Sequence, residues 1–214
     1  MNIKWRIAQF LELLWWKLYL RNKTKAAYLA WKKQYWQSLF QKLSDVVTIQ
    51  PSDTLIDFGC GPAGCFVALS QNKVTAVDPL IDKYQYSLAH FAKQDYPNTT
   101  FVASTIEDFI TTKKADIVLC MNAINHVSDI DKAMNVVCAA VKDNGCLILS
   151  IDAHKHNRLK WLFRFMPGDM LHPHQYNLTE YQNMLKCRNF KITKTLKLKS
   201  EWVFDYYVLV GEKE

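Results

Sequence analysis

The feature that most constrains this chain is the run Asp57-Phe58-Gly59-Cys60-Gly61-Pro62-Ala63-Gly64, which leaves an apolar stretch and enters a helical pattern. Glycines at 59 and 61 let the backbone turn sharply and approach a ligand, and Gly64 allows a helix to pack close to a strand. Twenty-one residues after Asp57, Asp78 closes the next apolar run, where a carboxylate can accept hydrogen bonds from two ribose hydroxyls. A glycine run alone is weak evidence. Set between strand and helix, with an acid ending the following strand, it marks an open parallel sheet whose crevice takes an adenosine-containing cofactor.

The rest of the chain keeps that rhythm. Thr54–Phe58, Val74–Val77, Thr100–Ala103, Asp116–Met121 and Cys146–Ile151 are short runs of continuous apolar character, as parallel strands buried on both faces require. Ile81, Tyr84, Leu88 and Phe91, then Ile130, Met134, Val137 and Val141, mark amphipathic helices between them, and Gly145 stands where a helix C-terminal glycine belongs. The alternation predicts an α/β fold with helices around a parallel sheet. Near the end, Asn177-Leu178-Thr179-Glu180 reads as a capped helix start, running to about Cys187. Strands over roughly Lys191–Lys197 and Val203–Val210 follow it, so an antiparallel pair should close one edge.

Charge divides the chain in two. Residues 1–45 hold nine Lys and Arg against Glu12 and Asp45, whereas residues 46–214 hold eighteen of each sign. Five of the seven tryptophans (Trp5, Trp15, Trp16, Trp31, Trp36) fall in the basic part. We therefore read residues 1–45 as a basic, aromatic helical extension and 46–214 as the sheet domain, with an insertion over 153–176. Six cysteines without a C-x-x-C pair read as reduced thiols of a cytoplasmic protein.

Asp57 bears on which cofactor the loop takes. A carboxylate at a strand end repels a pyrophosphate and attracts the α-ammonium of a methionine moiety. Here the sequence resembles the class I S-adenosylmethionine-dependent methyltransferases, whose first motif, an acid and then G-x-G-x-x-G, is matched by Asp57–Gly64. The resemblance covers roughly residues 45–212. It implies a Rossmann-like, seven-stranded, mostly parallel sheet with a C-terminal antiparallel hairpin, an S-adenosyl-L-methionine cofactor and transfer of a methyl group. It further implies cofactor contacts from Asp57, Gly59, Cys60 and Gly61, and from Asp78 with Pro79 beside it. Thr105 and Ile106 fall at the adenine, where the family commonly has an acid, and Asn122 at the methionine part. The competing reading, a nicotinamide dehydrogenase, usually lacks a counterpart of Asp57.

Methyl transfer from a sulfonium is an in-line displacement, so alignment and desolvation carry much of it. A base matters only where the acceptor arrives protonated. His126, His172 and His174 are the candidate bases or orienting groups. His154, His156, His172 and His174 crowd, with Asp152, between the fifth strand and the capped helix. Two H-x-H pairs can hold a metal, but His172-Pro173-His174-Gln175-Tyr176 resembles the family's metal-free loop, so no metal site is expected. The acceptor is expected to be an oxygen or nitrogen of a small-molecule or lipid-like compound. A non-catalytic scaffold or membrane-recruitment subunit is the alternative; Thr105 keeps it open, and the pair Asp57 and Asp78 argues against it.

Three readings fit the extension: a lid over the crevice, an interfacial membrane anchor through residues 1–22, or a nucleic-acid contact. The last is disfavoured because the sheet domain has no basic surplus. Ile7, Phe10, Leu11, Leu14, Trp15 and Leu18 form one helical stripe, and Tyr28, Trp31, Tyr35, Leu39 and Leu43 a second. Two stripes in succession can bury each other against one body. The pattern favours the lid, and stable liposome binding is not expected.

Overall fold

Side-chain alternation along the first strand sets the layers. Leu55 enters the apolar core on one face of the sheet, while Ile56 and Phe58 enter the core on the other. The same division separates Ile117 and Leu119 from Val118 and Cys120 in the fourth strand, as a sheet covered on both sides requires. A computed structural model describes residues 3–155 and 176–214, with side chains from Ile7 onward. Its strands are β1 (Thr54–Phe58), β2 (Lys73–Val77), β3 (Thr99–Val102), β4 (Ala115–Cys120), β5 (Val141–His154), β6 (Phe190–Ser200) and β7 (Phe204–Lys213). They form one seven-stranded sheet in the order β3-β2-β1-β4-β5-β7-β6. The first five pair in parallel, and β7 runs antiparallel between β5 and β6. This is the mostly parallel sheet with a terminal hairpin that the sequence predicts.

Helices α1 (Ile3–Leu20), α2 (Lys25–Leu43) and α3 (Ile81–Ser87) lie on the Leu55 face; α4 (Ile130–Ala139) and α5 (Leu178–Lys186) lie on the Ile56 face. Thr24 caps α2 and Asp129 caps α4. Asn177 and Glu180 form a complete capping box on α5. Strand order reverses between β1 and β4, so the crevice above their C-terminal ends is the switch point where such sheets bind ligands.

Four local expectations are corrected. The glycine run does not enter an α-helix: it continues as two short 3-10 turns, Gly61–Ala63 and Cys65–Ala68, parted by the extended backbone of Gly64. Helix α2 packs on the second of these turns and covers the loop instead. Gly145 does not end a helix, because α4 stops at Ala139 and Gly145 lies inside β5. There the pairing jumps from Ala115 with Val141 to Ile117 with Cys146, so residues 142–145 bulge out of register. Asn144 turns that bulge at φ 60°, and a Cβ on Gly145 would come within 2.9 Å of the Asp116 carbonyl oxygen.

The helical stripes also divide differently. In α2 the buried residues are Tyr28, Trp36, Leu39 and Leu43, while Trp31 and Tyr35 are exposed. In α1 the apolar stripe faces outward, with Phe10 64% and Leu18 62% exposed. The inward face is Gln9, Leu13, Trp16, Tyr19 and Leu20, where an aromatic and aliphatic surface meets the sheet domain.

Candidate functional site

The crevice is built from backbone first. The N–H groups of Gly59 and Cys60 both donate to the Val77 carbonyl, at 2.8 and 3.2 Å, which ties the loop after β1 to the end of β2. Gly59 and Gly61 stand at φ 62° and 57°, the left-handed region that glycine enters without strain. A Cβ at Gly59 would fall 2.2 Å from the Ala123 Cβ, so the loops after β1 and β4 touch through a bare backbone.

Asp57 is buried beneath this loop, 1% exposed, and its Oδ2 accepts a 3.3 Å hydrogen bond from the Phe66 N–H. A Cβ on Gly64 would meet that same oxygen at 2.5 Å, which is why the position is glycine. The carboxylate therefore holds the second 3-10 turn in place. Burial pushes its pKa up to about 7, against backbone hydrogen bonds from Phe66 and Cys65.

Asp78 follows β2, also buried. Its Oδ2 accepts from the Gly61 N–H at 2.9 Å and its Oδ1 from the Leu80 N–H at 2.8 Å. A carboxylate has about four lone-pair sites, so each oxygen keeps one for a hydroxyl. Burial first, and the nearby Glu12 carboxylate second, push Asp78 up to about 7. Cys60 is buried between the two acids, and burial with their charges raises its thiol well above the ordinary range. Pro79 is half-buried at the turn into α3.

The remaining predicted residues spread along the crevice. Asn122 adopts φ 52° at the end of β4, its N–H donating to the Ser150 hydroxyl at 2.6 Å and its Oδ1 accepting from that hydroxyl at 3.2 Å. His126 is exposed at the end of the following 3-10 turn, on the same loop. Thr105 is occupied locally: its hydroxyl donates to Asp108 and accepts from the Asp108 N–H, both at 3.1 Å. Ile106 turns into the core on the α4 face. His154 ends β5, with its ring against Phe204. His172 and His174, with His156, lie outside the described residues.

Several participants are not legible as site residues in the sequence. Helix α1 roofs the crevice: the Trp16 ring would lie 3.5 Å from a Cβ on Gly61, and Glu12 accepts from the Tyr84 hydroxyl at 3.0 Å. Trp36 of α2 donates its indole N–H to the Ala63 carbonyl at 3.1 Å, pinning the first 3-10 turn. Lys32, one turn earlier, is half-buried with its ammonium 5.1–5.5 Å from the ring centres of Trp31, Tyr35 and Trp36. Burial lowers its pKa, while Cys65 and Asp57 oppose the shift. Asn125 bridges three elements, donating to the Asp152 carbonyl and the Tyr181 hydroxyl and accepting from the Asp152 N–H. The signal for α2 was the spacing 28, 32, 36, 39, 43, which a lysine at 32 hides from an apolar count.

A bare, left-handed glycine turn beside a buried acid suits the adenosyl and methionyl parts of S-adenosylmethionine, and the negative character of Asp57 and Asp78 suits its cationic charge. Fold and cradle together define the class I S-adenosylmethionine-dependent methyltransferases. A methyltransferase-domain family model matches residues 28–195, and the chain belongs to that family. It is 29% identical over 114 residues to the ubiquinone biosynthesis O-methyltransferase of Rickettsia conorii; the match takes in 52% of this chain and 38% of that relative. Thus the matched stretch spans about two fifths of the relative's length. Among solved structures, YcgJ of Bacillus subtilis superposes with a TM-score of 0.66 at 15% identity, covering 81% of this chain and 97% of that one. The magnesium protoporphyrin IX methyltransferase of Synechocystis, with bound S-adenosylhomocysteine, gives 0.59 at 20% identity over 85% of this chain and 83% of its own. These two likenesses establish the fold.

Proposed function

We propose that the protein transfers a methyl group from S-adenosylmethionine to an oxygen or nitrogen of a small-molecule or lipid-like acceptor. The observation that carries this reading is the Gly61 N–H on the Asp78 carboxylate at 2.9 Å, which joins the glycine turn and the ribose acid into one rigid cradle. Asp78, with Pro79 beside it, takes the ribose; the backbone of Gly59, Cys60 and Gly61 takes the methionyl part, with Asp57 holding that backbone from below. Thr105 and Ile106 border the adenine, and Asn122 faces the transferred group.

When bound, S-adenosylmethionine supplies an electrophilic methyl group on a sulfonium. The acceptor atom bonds to that carbon as the carbon–sulfur bond breaks, and the acceptor's proton leaves to a base. His126, exposed on the loop after β4, takes that role, with His172 and His174 as its companions. A base of this kind contributes about 10²–10⁴-fold. The Rickettsia relative's name, an O-methyltransferase of ubiquinone biosynthesis, supports an oxygen acceptor of apolar character.

Isothermal titration with S-adenosylhomocysteine tests the cradle: micromolar binding is expected, and Asp78→Ala should abolish most of it. Binding of NAD(P) with none of S-adenosylhomocysteine overturns the assignment. The scaffold reading is not favoured, because two buried acids that resist ionisation destabilise a protein that has no cationic ligand to receive.

A further inference from the structure

Helix α1 presents two faces of opposite use. Its inner face roofs the glycine turn through Trp16 and reaches Tyr84 through Glu12. Its outer face exposes Ile7, Phe10, Leu11, Leu14, Trp15 and Leu18, six large apolar side chains in one stripe. Single exposed apolar residues need no explanation, but a contiguous stripe on one helix does. From the edge of the stripe a file of rings leads inward and out again: Trp15 stacks on Tyr19 at 4.8 Å, Tyr19 meets the buried Tyr28, and Tyr28 meets Trp31. Trp31 is itself half exposed.

Charge selects the occupant. Nine Lys and Arg lie in residues 1–45 against two acids. Both acids are exposed but partnered, Glu12 by the Tyr84 hydroxyl and Asp45 by the Lys194 ammonium. On α1 and the turn after it, Lys17 and Arg21 are exposed and flank the stripe at helical spacing. Lys23 lies 3.6 Å from the centre of the Tyr19 ring. Two extensions meeting face to face would set seven net positive charges against seven. An anionic surface that also accepts apolar groups is the complementary partner.

We propose that the outer face of α1 seats in the interface of an anionic lipid bilayer, with Phe10, Leu14, Trp15 and Leu18 at the acyl boundary and Lys17 and Arg21 on the headgroups. Aromatic and aliphatic groups with a basic rim are what that boundary selects. Among the described residues no helix is long and apolar enough to cross a membrane, so the helix lies along the surface. Since the same helix roofs the cofactor crevice, the crevice then opens beside the lipid, where an acceptor dissolved in the bilayer can reach it. That last step rests on the methyltransferase reading; the docking itself does not.

The experiment is flotation of the full chain with phosphatidylcholine vesicles, with and without phosphatidylglycerol. Each sample is paired with a melting curve, light scattering and titration of S-adenosylhomocysteine. Because the α1 stripe faces outward and is not buried against α2, the expectation drawn from the sequence is reversed: the protein should float only with phosphatidylglycerol and be released by salt. Phe10→Glu/Leu14→Glu/Leu18→Glu should lower flotation about tenfold with melting temperature and ligand affinity unchanged. If that variant fails to fold, Lys17→Glu/Arg21→Glu should give the same loss, since both side chains are exposed. Absence of flotation, flotation of the variants at the wild-type level, or a wild-type dimer that the triple variant dissolves overturns the proposal. Flotation without ligand binding overturns the methyltransferase reading alone, and ligand binding without flotation overturns the docking alone.

Discussion

The Tyr84 hydroxyl donates to the Glu12 carboxylate at 3.0 Å, linking the roof helix to α3 across 72 residues of chain. The Tyr84 ring is fully buried, and burial together with the Asp78 and Glu12 charges holds the phenol far above its ordinary pKa. Tyr84→Phe should therefore lower stability by about 1 kcal/mol, the usual net worth of such a bond. Glu12→Gln keeps an acceptor and should lower it less. Urea denaturation of the two variants gives the comparison, and equal losses would mean the bond is not what holds the roof.

Asp57 and Asp78 give a pH dependence of definite sign. Both are raised to about 7 in the folded protein. Between about pH 4, the unfolded value, and pH 7 the folded state holds protons that the unfolded chain has released. Their contribution to stability is complete below that window and is lost as pH rises through 7. Each acid accounts for a few kcal/mol at most, at ~1.4 kcal/mol per unit. The ligand-free protein should lose urea resistance from about pH 4 to about pH 7, and Asp57→Asn should flatten that fall. A rise over the same range would show that the acids are ionised when folded.

Binding a cation beside these acids favours their charged forms. Titration of S-adenosylmethionine near neutral pH should then release protons, seen as a binding enthalpy that varies with the ionisation heat of the buffer. Asp78→Asn should remove most of that variation. A buffer-independent enthalpy would separate the acids from the ligand.

The two left-handed glycines differ in severity. Gly61→Ala meets the ordinary strain of a side chain at φ 57°, about 1–2 kcal/mol, with its methyl in van der Waals reach of Trp16. Gly59→Ala adds a 2.2 Å collision with the Ala123 Cβ and must displace the loop after β4. Melting curves should place Gly59→Ala well below Gly61→Ala, and S-adenosylhomocysteine affinity should fall in the same order.

Trp36→Phe removes the indole donor from the Ala63 carbonyl while leaving an aromatic ring at the position. A loss of about 1 kcal/mol is expected, with weaker S-adenosylhomocysteine binding as the turn at Gly61–Ala63 loosens. Unchanged ligand affinity would mean that α2 covers the loop without ordering it.

Much of the architecture could be read from local pattern. The inner parallel strands are runs whose burial on both faces demands apolar character, and Thr54–Phe58 and Ala115–Cys120 were legible for that reason. Asn177 with Glu180, and Gly59 with Gly61, were legible because a capping box and a left-handed turn are decided by a few neighbouring residues. The bulge at residues 142–145 was not: Gly145 looks like a helix terminus until β4 fixes where pairing resumes.

What the sequence by itself determined is the sheet, its crevice and the acids at the strand ends, since periodicity and turn chemistry are properties of short segments. Only the tertiary structure decided which side of each helix is inside. An apolar stripe on α1 states that a face is hydrophobic, but burial depends on what stands opposite, and the ring of Trp16 over Gly61 and the carboxylate of Glu12 on Tyr84 turned the other face inward. Lys32 sits on the covered side of α2 for the same reason: its neighbour Trp36 is buried against a loop, at Ala63, that comes together only when β1 and β2 pair. Contacts between segments far apart in the chain have no local signature, and so the use of a helix face is a property of the folded whole.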